Sequence, residues 1–178
     1  MVAGSDDRTT NEETIFASVQ STYTHPDYNA TDGSYDVALV QLAAPIPTDE
    51  RSVEIAEISA DESFLKRFYK GKRQCKLAGW GRTESGDFSL ALQEVILMAL
   101  PDKDCEAQGY DIVEPNFCWE AKKDQRVPCD RDEGGPIVCY NNGPWEVVGI
   151  HVKDDCSAGI KSAAKTFALL DWIGTYLV

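Results

Sequence analysis

Residues 129–139 read CDRDEGGPIVC, a tight turn followed by an apolar strand. A turn that ends in Gly134-Gly135-Pro136 presents one side chain to a cleft, because glycine accepts backbone conformations that other residues avoid. The side chain presented here is that of Glu133. An acidic residue therefore stands where such a turn would present a nucleophile.

The composition places the chain among secreted globular proteins. With 178 residues and 43% hydrophobic content, it is long enough for one large domain or two small subdomains that share an interface. Its six cysteines include no CxxC pair, which predicts three disulfides and an oxidising compartment rather than a zinc site. Asn29-Ala30-Thr31 is an N-glycosylation sequon, in agreement with secretion. No apolar run approaches the length of about 18 residues that a membrane-spanning helix needs.

The charge distribution is acidic overall with one basic segment. A net charge of −13 argues against nucleic acid or an anionic membrane as the partner. Six basic residues stand in one acid-free stretch: Lys66, Arg67, Lys70, Lys72, Arg73 and Lys76. This stretch is either a solvated loop or a docking patch for a sulfated glycan or an acidic protein.

Hydrophobic residues recur mostly with the period of two that is typical of strands. Short β-rich runs are separated by Gly, Pro, Asn and Asp clusters and cover residues 15–23, 36–42, 92–100, 136–140 and 145–152. This pattern predicts an antiparallel sandwich or barrel. Residues 164–177 differ, because five apolar side chains there fall on one helical face: Phe167, Leu170, Trp172, Ile173 and Leu177. An all-β body that ends in one docked helix is expected.

Six motifs together carry a family resemblance. They are THPDYN (24–29), YDVALVQL (35–42), CKLAGWGRT (75–83), DEGGPIVC (132–139), WEVVGI (145–150) and DWIGTYL (171–177). In order and spacing they resemble the chymotrypsin-like (trypsin-family) serine proteases, from Ala3 to the C-terminus. The resemblance implies an all-β double β-barrel forming a single domain, 1–178. Residues 1–70 would form an incomplete N-terminal barrel, 71–163 a complete C-terminal barrel and 164–178 the C-terminal helix.

The same resemblance implies the pairing of the cysteines. Placed by the motifs, Cys75 would bond Cys139, Cys105 would bond Cys118, and Cys129 would bond Cys156. No cysteine would be left unpaired.

The catalytic positions of the family can be assigned to residues of this chain. The family's chemistry needs a serine on the GDSGGP turn, a histidine to take its proton, an aspartate to orient the histidine, and backbone N–H groups that form an oxyanion hole. Asp36 matches the orienting aspartate, Glu133 the nucleophile and Arg131 the oxyanion-hole glycine. A glutamate carboxylate has no proton to give up at neutral pH and would repel a developing oxyanion. We therefore expect no acyl transfer by the family's route.

The catalytic histidine and the substrate pocket also depart from the family pattern. The opening MVAGS resembles the strand that follows the family's histidine loop, so that loop is expected to be missing from this sequence. His25 and His151, the two histidines present, are expected to be structural. Val127 occupies the position that fixes primary specificity, which excludes an anionic pocket base. The substrate-pairing strand SWG is replaced by Val152, Lys153 and Asp154, and the later PGVY strand is not recognisable in residues 158–164.

Several carboxylates would lack the partners that the family provides. Asp36 and Asp132 would have no such partner, and Asp130 and Glu133 would add negative charge nearby. A buried unpaired carboxylate needs a cation, water or a raised pKa. We expect Arg131 or Lys153 to supply this cation, in preference to a bridging metal ion. No cofactor is expected; a calcium ion in the acidic loop from Asp6 to Glu13 is a weaker alternative.

Three functions remain open at this point. The first is a secreted, non-catalytic protease homologue that binds a protein or glycan or regulates a protease. The second is a hydrolase that uses Asp36 and Glu133 as a carboxylate pair, which requires a set separation and one raised pKa. The third is an inactive fragment or variant of an endopeptidase. Exposed strand edges of the incomplete barrel would be covered by a separate chain, by a homodimer contact or by residues 43–70.

Overall fold

A computed structural model of the chain describes residues 2–9, 14–48, 53–71, 73–82, 86–122, 131–153 and 159–177. Its strands are β1 Val2–Ala3, β2 Ile15–Phe16, β3 Val19–Thr24, β4 Ala38–Leu42, β5 Glu57–Ile58, β6 Gln74–Gly79, β7 Gln93–Ala99, β8 Asn116–Ala121, β9 Pro136–Tyr140, β10 Trp145–Lys153 and β11 Ile160–Lys165. Its helices are α1 Glu62–Phe68, α2 Asp102–Glu106 and α3 Leu170–Gly174, with the 3-10 helix Thr166–Leu169 immediately before α3. The all-β class expected from the sequence is confirmed. No helix among the described residues is long and apolar enough to cross a membrane.

The C-terminal half forms a closed barrel. Its strands follow the order β11-β8-β7-β6-β9-β10, and β10 pairs back with β11, so six strands close the sheet on itself. All six contacts between neighbouring barrel strands are antiparallel, and β5 adds a short parallel pairing to β10. Closure of the barrel pairs the two edge strands of the sheet with each other. Side chains fill the interior of the barrel.

Alternating residues of these strands fill the barrel. Leu77, Leu97, Trp119, Ile137 and Val148 are almost fully buried in one hydrophobic cluster. The alternation that predicted strands therefore also selects the core, because successive side chains of a strand point to opposite faces.

Helix α1 differs from the sequence analysis, which predicts no helix here and interprets residues 66–76 as a solvated loop or a docking patch. The Asp61 carboxylate caps the helix by accepting hydrogen bonds from the N–H groups of Ser63 at 2.9 Å and Phe64 at 3.0 Å. The spacing of Phe64, Leu65 and Phe68 places all three side chains in the barrel core. Residues 62–68 are thus anchored to the C-terminal barrel.

No closed barrel forms among the described residues of the N-terminal part, and the incomplete barrel expected for residues 1–70 stays a prediction. In the described residues its strands form two separate two-stranded sheets, β1 with β2 and β3 with β4. Apolar side chains of these sheets remain exposed: Phe16 by 68%, Val19 by 48% and Val40 by 48%. Exposed apolar side chains of this kind are suited to contact with another molecule.

The C-terminal helical segment packs on the N-terminal part. The His25 ring lies 4.5 Å from the Tyr35 ring and 4.7 Å from the Trp172 ring, and Tyr23 lies 4.5 Å from Tyr176. These aromatic contacts connect the β3 hairpin region to α3.

The helical segment differs in detail from its sequence-based description. Strand β11 continues to Lys165, so the helix begins two residues later than residue 164. Leu169 is buried, whereas Phe167 and Leu177 are 36% and 77% exposed. The first turn is a 3-10 helix with three residues per turn, which shifts the apolar face away from the one that a 3.6-residue period predicts.

Candidate functional site

The turn that bears Glu133 is held firmly against strand β10. Gly134 donates its N–H to the His151 carbonyl at 2.7 Å, and the His151 N–H donates to the Gly135 carbonyl at 2.9 Å. Arg131 adopts a φ of 74° and Gly134 a φ of 83°. A positive φ is easy for glycine and costs a side-chain-bearing residue such as Arg131 free energy. The turn keeps the backbone shape of a glycine-rich loop although an arginine occupies one of its positions.

The Glu133 carboxylate folds back onto its own turn. Its Oε2 accepts a hydrogen bond of 2.8 Å from the Arg131 backbone N–H. Arg131 occupies the position of the oxyanion-hole glycine in the resemblance, so the amide at that position is already bonded to a side chain of the turn. The Arg131 guanidinium lies over the Phe88 ring at 4.6 Å, an arrangement suited to a cation–π interaction.

The neighbouring Asp132 points in the other direction, toward the loop after β6. Its Oδ1 accepts a hydrogen bond of 2.8 Å from the Gly81 N–H. A Cβ atom at Gly79 or Gly81 would overlap this carboxylate. The Arg131 guanidinium lies over Phe88, and its expected pairing with these acids stays a prediction. The Lys153 side chain and Asp130 lie outside the described residues.

Asp36 lies in a different environment from Glu133. It lines a cavity together with Tyr28, Asp111, Asn116 and Val152, among other residues, and Glu133 is not part of that lining. The Asp36 carboxylate makes no hydrogen bond or ion pair with the part of the chain that the structure describes. A carboxylate pair that works on one substrate requires a set separation between the two groups, and such a role for Asp36 and Glu133 stays a prediction.

Both histidines are packed in the interior. The His151 ring is fully buried, lies edge-on to Trp119, and places its Nδ1 3.0 Å from the Ser162 carbonyl oxygen. His25 is 8% exposed, and its Nδ1 accepts a hydrogen bond of 3.2 Å from the Asp27 N–H. Each ring is thus part of the packing of the fold.

Two disulfides stabilise the C-terminal barrel and its loops. Cys75 is bonded to Cys139 across β6 and β9, and Cys105 is bonded to Cys118, joining α2 to β8. These are pairs that the resemblance implies. Cys129 and Cys156 lie outside the described residues, as does Val127, so the third disulfide and the specificity position stay predictions.

The glycosylation sequon lies in an exposed turn. The Asn29 side chain donates to an Asp32 carboxylate oxygen and accepts from the Thr31 N–H, both at 2.9 Å. Asn29 itself is exposed. Modification at this residue stays a prediction.

The basic stretch is partly neutralised by acids from elsewhere. Lys66 pairs with Glu62 at 2.9 Å, and Lys76 pairs with Glu94 at 2.9 Å. The Arg73 guanidinium lies 5.8 Å from the Phe64 ring. Arg67 and Lys70 are exposed, while Lys72 lies outside the described residues.

The aromatic residues within this stretch face inward. Phe68 is fully buried, and the Tyr69 hydroxyl donates to the Val148 carbonyl at 3.1 Å. Burial raises the pKa of the Tyr69 hydroxyl above its usual range. These two aromatic side chains are therefore not available for glycan stacking, and a docking role for the stretch stays a prediction.

The acidic loop proposed for calcium is described only as far as Thr9. There the Asp7 carboxylate accepts hydrogen bonds from the Thr9 N–H at 2.7 Å and the Thr9 hydroxyl at 2.8 Å. The Thr9 amide holds the pKa of Asp7 below its usual value. Within the described ranges, no group of three or more His, Cys, Asp or Glu residues is arranged to hold a metal ion.

Comparison with known proteins identifies relatives along almost the entire chain. The family model described as Trypsin matches residues 1–173. Chymotrypsin-like elastase family member 1 of Rattus norvegicus is 29% identical over 156 residues, covering 84% of this chain and 57% of that protein. Serine protease 28 of Mus musculus is 29% identical over 168 residues, covering 86% of this chain and 59% of that protein. The chain thus spans less than two thirds of the length of these curated relatives.

A solved structure shares the fold. The "Structure of GrC" superimposes with a TM-score of 0.83 at 24% sequence identity, covering 98% of this chain and 75% of that chain. Together with the closed six-stranded barrel, this match confirms the chymotrypsin-like all-β fold.

Proposed function

Because the chain belongs to the trypsin family of serine proteases, we propose that it is a catalytically inactive member of that family. In this proposal it is a secreted protein that binds a protein or glycan partner or regulates a protease. The observation that carries the proposal is the hydrogen bond from the Arg131 N–H to the Glu133 carboxylate. Both the nucleophile position and an oxyanion-hole position take part in that one contact.

The chemistry of Glu133 supports the loss of peptide hydrolysis. The family's nucleophile must lose a proton to a base as it attacks, and an ionised carboxylate has none to lose. A carboxylate on this turn also places negative charge where a tetrahedral intermediate would develop its own. Substitution of the serine position therefore affects two steps of the family's mechanism.

The engaged Arg131 amide supports the same conclusion independently. Removing one oxyanion-hole donor from an active serine protease lowers kcat by about 10²–10³-fold. Here the Arg131 N–H at that position already donates a hydrogen bond of 2.8 Å to the Glu133 carboxylate. A substrate oxyanion would have to displace a carboxylate of the protein to reach it.

Disulfides and an exposed sequon support an extracellular location. The described barrel carries two disulfides, which persist in oxidising compartments. The relatives are an elastase family member and a serine protease, and a regulator of proteases fits this family context.

The test compares the wild-type chain with Glu133→Gln, which removes the charge and keeps the shape. We expect neither protein to hydrolyse peptide amides, esters or glycosides above the rate of a buffer blank. Hydrolysis by the wild type that disappears in Glu133→Gln would overturn the proposal in favour of an enzyme that uses this carboxylate.

The binding part of the proposal needs its own measurement. The purified chain is mixed with an active trypsin-family protease and with heparin, and each mixture is analysed by size-exclusion chromatography and by the rate of peptide cleavage. A stoichiometric complex or a changed cleavage rate is the expected result. If neither mixture shows a complex or a changed rate, these two partner classes are ruled out.

A further inference from the structure

Three arginine side chains meet at the Phe88 ring. The guanidinium carbons of Arg8, Arg82 and Arg131 lie over this ring, at 5.6, 5.1 and 4.6 Å from its centroid. All three arginines are exposed, and the ring residue is half-buried. Because the three distances are measured to one ring, three positive charges lie within one small patch, which we call the arginine cluster. The chain as a whole has a net charge of −13, so this patch has the opposite sign to the molecule that carries it.

The arginines of the cluster come from three segments that hydrogen bonds join. The Arg8 N–H donates to a carbonyl of the loop between β6 and β7 at 2.8 Å, and Arg82 pairs with Phe88 of that loop in an antiparallel β-bridge. The turn that bears Arg131 is attached to the same loop by the hydrogen bond that the Asp132 carboxylate accepts from it. The cluster is therefore assembled by the fold and not by neighbours in the sequence.

The acidic residues next to the cluster in sequence are bonded to backbone amides. The carboxylates of Asp7, Asp132 and Glu133 each accept a hydrogen bond from a backbone N–H. The side chains of Arg8 and Arg131 form no ion pair with the part of the chain that the structure describes. With respect to the described residues, their positive charges are therefore available to an anion from outside.

Arg82 contributes mainly its positive charge. Its Nη1 donates a hydrogen bond of 2.9 Å to the Gly86 carbonyl, and both Arg82 and the nearby Asp87 take part in further interactions. A guanidinium group stays protonated in proteins, so its charge persists at every physiological pH. Like charges held around one ring raise the local positive potential, which attracts anions to this patch. We therefore assign direct contacts with a ligand to Arg8 and Arg131, and a supporting charge to Arg82.

The geometry of guanidinium groups selects among anions. Each guanidinium presents its N–H donors as a planar fork that matches the oxygens of an oxyanion. A carboxylate offers two oxygens in one plane, which a single fork can occupy. A sulfate ester offers three outer oxygens that point in different directions. Guanidinium groups that reach one patch from different segments of the chain suit the sulfate ester better.

We propose that the arginine cluster binds a sulfate ester group of a sulfated glycan. The choice of a glycan sulfate rests on the secreted location in the proposed function, because sulfated glycans are extracellular polymers. It deepens that function by assigning one partner class to one surface. A thin glycan chain also meets fewer of the other carboxylates of this acidic chain than a broad acidic protein surface would. The cluster contains no residue of the basic stretch, 66–76.

The test measures binding by isothermal titration calorimetry at an ionic strength of about 150 mM, where distant exposed charges are screened. Three probes are compared: a heparin hexasaccharide, the same sugar after chemical removal of its sulfates, and the peptide hexaglutamate. We expect saturable one-to-one binding of the sulfated sugar only. Absence of saturable binding by this sugar up to about 1 mM would overturn the proposal. Equal or tighter binding of either other probe would also overturn it, because sulfate would then not be the recognised group.

Paired variants separate the cluster from the other basic residues. Arg8→Gln with Arg131→Gly removes two guanidinium groups, and glycine accepts the positive φ at the second position. Arg67→Gln with Lys70→Gln removes two exposed charges from the basic stretch. We expect the first pair to weaken binding about tenfold and the second to change it less than twofold, because only the first removes direct charge-assisted contacts. Equal weakening by both pairs, or weakening by the second pair alone, would contradict the proposal.

A further variant tests the planar fork itself. Arg8→Lys keeps the positive charge and replaces the fork by a compact ammonium group, so we expect binding about threefold weaker than that of the wild type. An affinity equal to that of the wild type would contradict the direct contact assigned to Arg8.

Failure of this inference and failure of the proposed function give different results. Binding of the sulfated sugar is measured without any turnover. A wild-type chain that hydrolyses a substrate through Glu133 would overturn the proposed absence of catalysis and leave sulfate binding untouched. A chain that forms a complex with a protease and does not bind the sulfated sugar would overturn this inference alone.

Discussion

The Asp132 carboxylate accepts a hydrogen bond of 2.8 Å from the Gly81 backbone N–H. This bond joins the Glu133 turn to the loop after β6, fifty-one residues earlier in the chain. The contact is possible because Gly79 and Gly81 have no side chains, and a Cβ at either position would overlap the carboxylate. The orientation of the Glu133 turn therefore depends on two glycines that are remote in sequence.

Gly81→Ala is expected to destabilise the protein by about 1–3 kcal/mol, the usual cost of overpacking a well-filled site. The new methyl group must displace Asp132, so the hydrogen bond to Gly81 is lost as well. Urea unfolding followed by circular dichroism measures the change.

Gly174→Ala is the matched control. Outside its own helix, no heavy atom of the described residues lies within 4 Å of a Cβ at this position, and Gly174 is the last residue of α3. We expect unchanged or slightly raised stability, because alanine favours helices more than glycine does. Equal stability of Gly81→Ala and Gly174→Ala would contradict the steric role assigned to Gly81.

The cap of α1 makes stability depend on pH. The Phe64 amide, followed by the Ser63 side chain, holds the pKa of Asp61 below its usual value. A depressed folded-state pKa contributes stability that is present above the unfolded pKa of about 3.9 and is lost as pH falls through the folded value. Asp61→Asn keeps an acceptor for the cap without a titrating charge. Its urea midpoint is expected to fall less than that of the wild type between pH 5 and pH 2.

Other carboxylates also titrate in this range, so the comparison is made as a difference between two proteins. Asp32→Asn is a suitable second reference, because the pKa of Asp32 is lowered by a local turn rather than by a helix cap. If the urea midpoints of the wild type and of Asp61→Asn fall by the same amount as the pH is lowered, the cap does not contribute to acid sensitivity.

The sequence predicts the barrel well because strand alternation is a local signal. The run 136–140 coincides with β9, and the run 145–152 ends one residue before the end of β10. The run 15–23 is instead divided into β2 and β3, since the alternation alone does not show where the chain turns. Strand β11 escapes detection because its small residues Ala163 and Ala164 give little alternation.

The site is predicted less completely, because its contacts are not local. The bond from Arg131 to Glu133 requires a positive φ at an arginine, which sequence propensities do not indicate. The cavity joins Asp36 to Asp111 and Asn116, which are far apart in the chain. By contrast, the missed helix α1 had a readable signal: Asp61 as a cap, followed by apolar Phe64, Leu65 and Phe68.

The His25 ring is expected to hold the C-terminal helical segment in place. It stacks on Tyr35 at 4.5 Å and contacts Trp172 at 4.7 Å. His25→Ala removes both aromatic contacts and should cost about 1–3 kcal/mol of stability. His25→Phe restores the ring without the acceptor for the Asp27 N–H, and is expected to recover more than half of the loss. Urea midpoints of the three proteins give the comparison, and equal loss in both variants would show that the acceptor matters more than the ring.

The exposed apolar surface of the N-terminal sheets is expected to cause self-association. Phe16 is 68% exposed and Val40 is 48% exposed, and each lies in a sheet that has two strands in the part of the chain that the structure describes. Paired strands with open edges and apolar faces tend to add a further strand or sheet from another molecule. Sedimentation velocity of the wild type should therefore show association that increases with protein concentration. Phe16→Ser should shift the distribution toward monomer, whereas Leu177→Ser, at an exposed apolar residue after α3, should leave it unchanged. A wild type that stays monomeric up to about 100 μM, well above the Kd of a stable dimer, would mean that the described chain protects these sheets by itself.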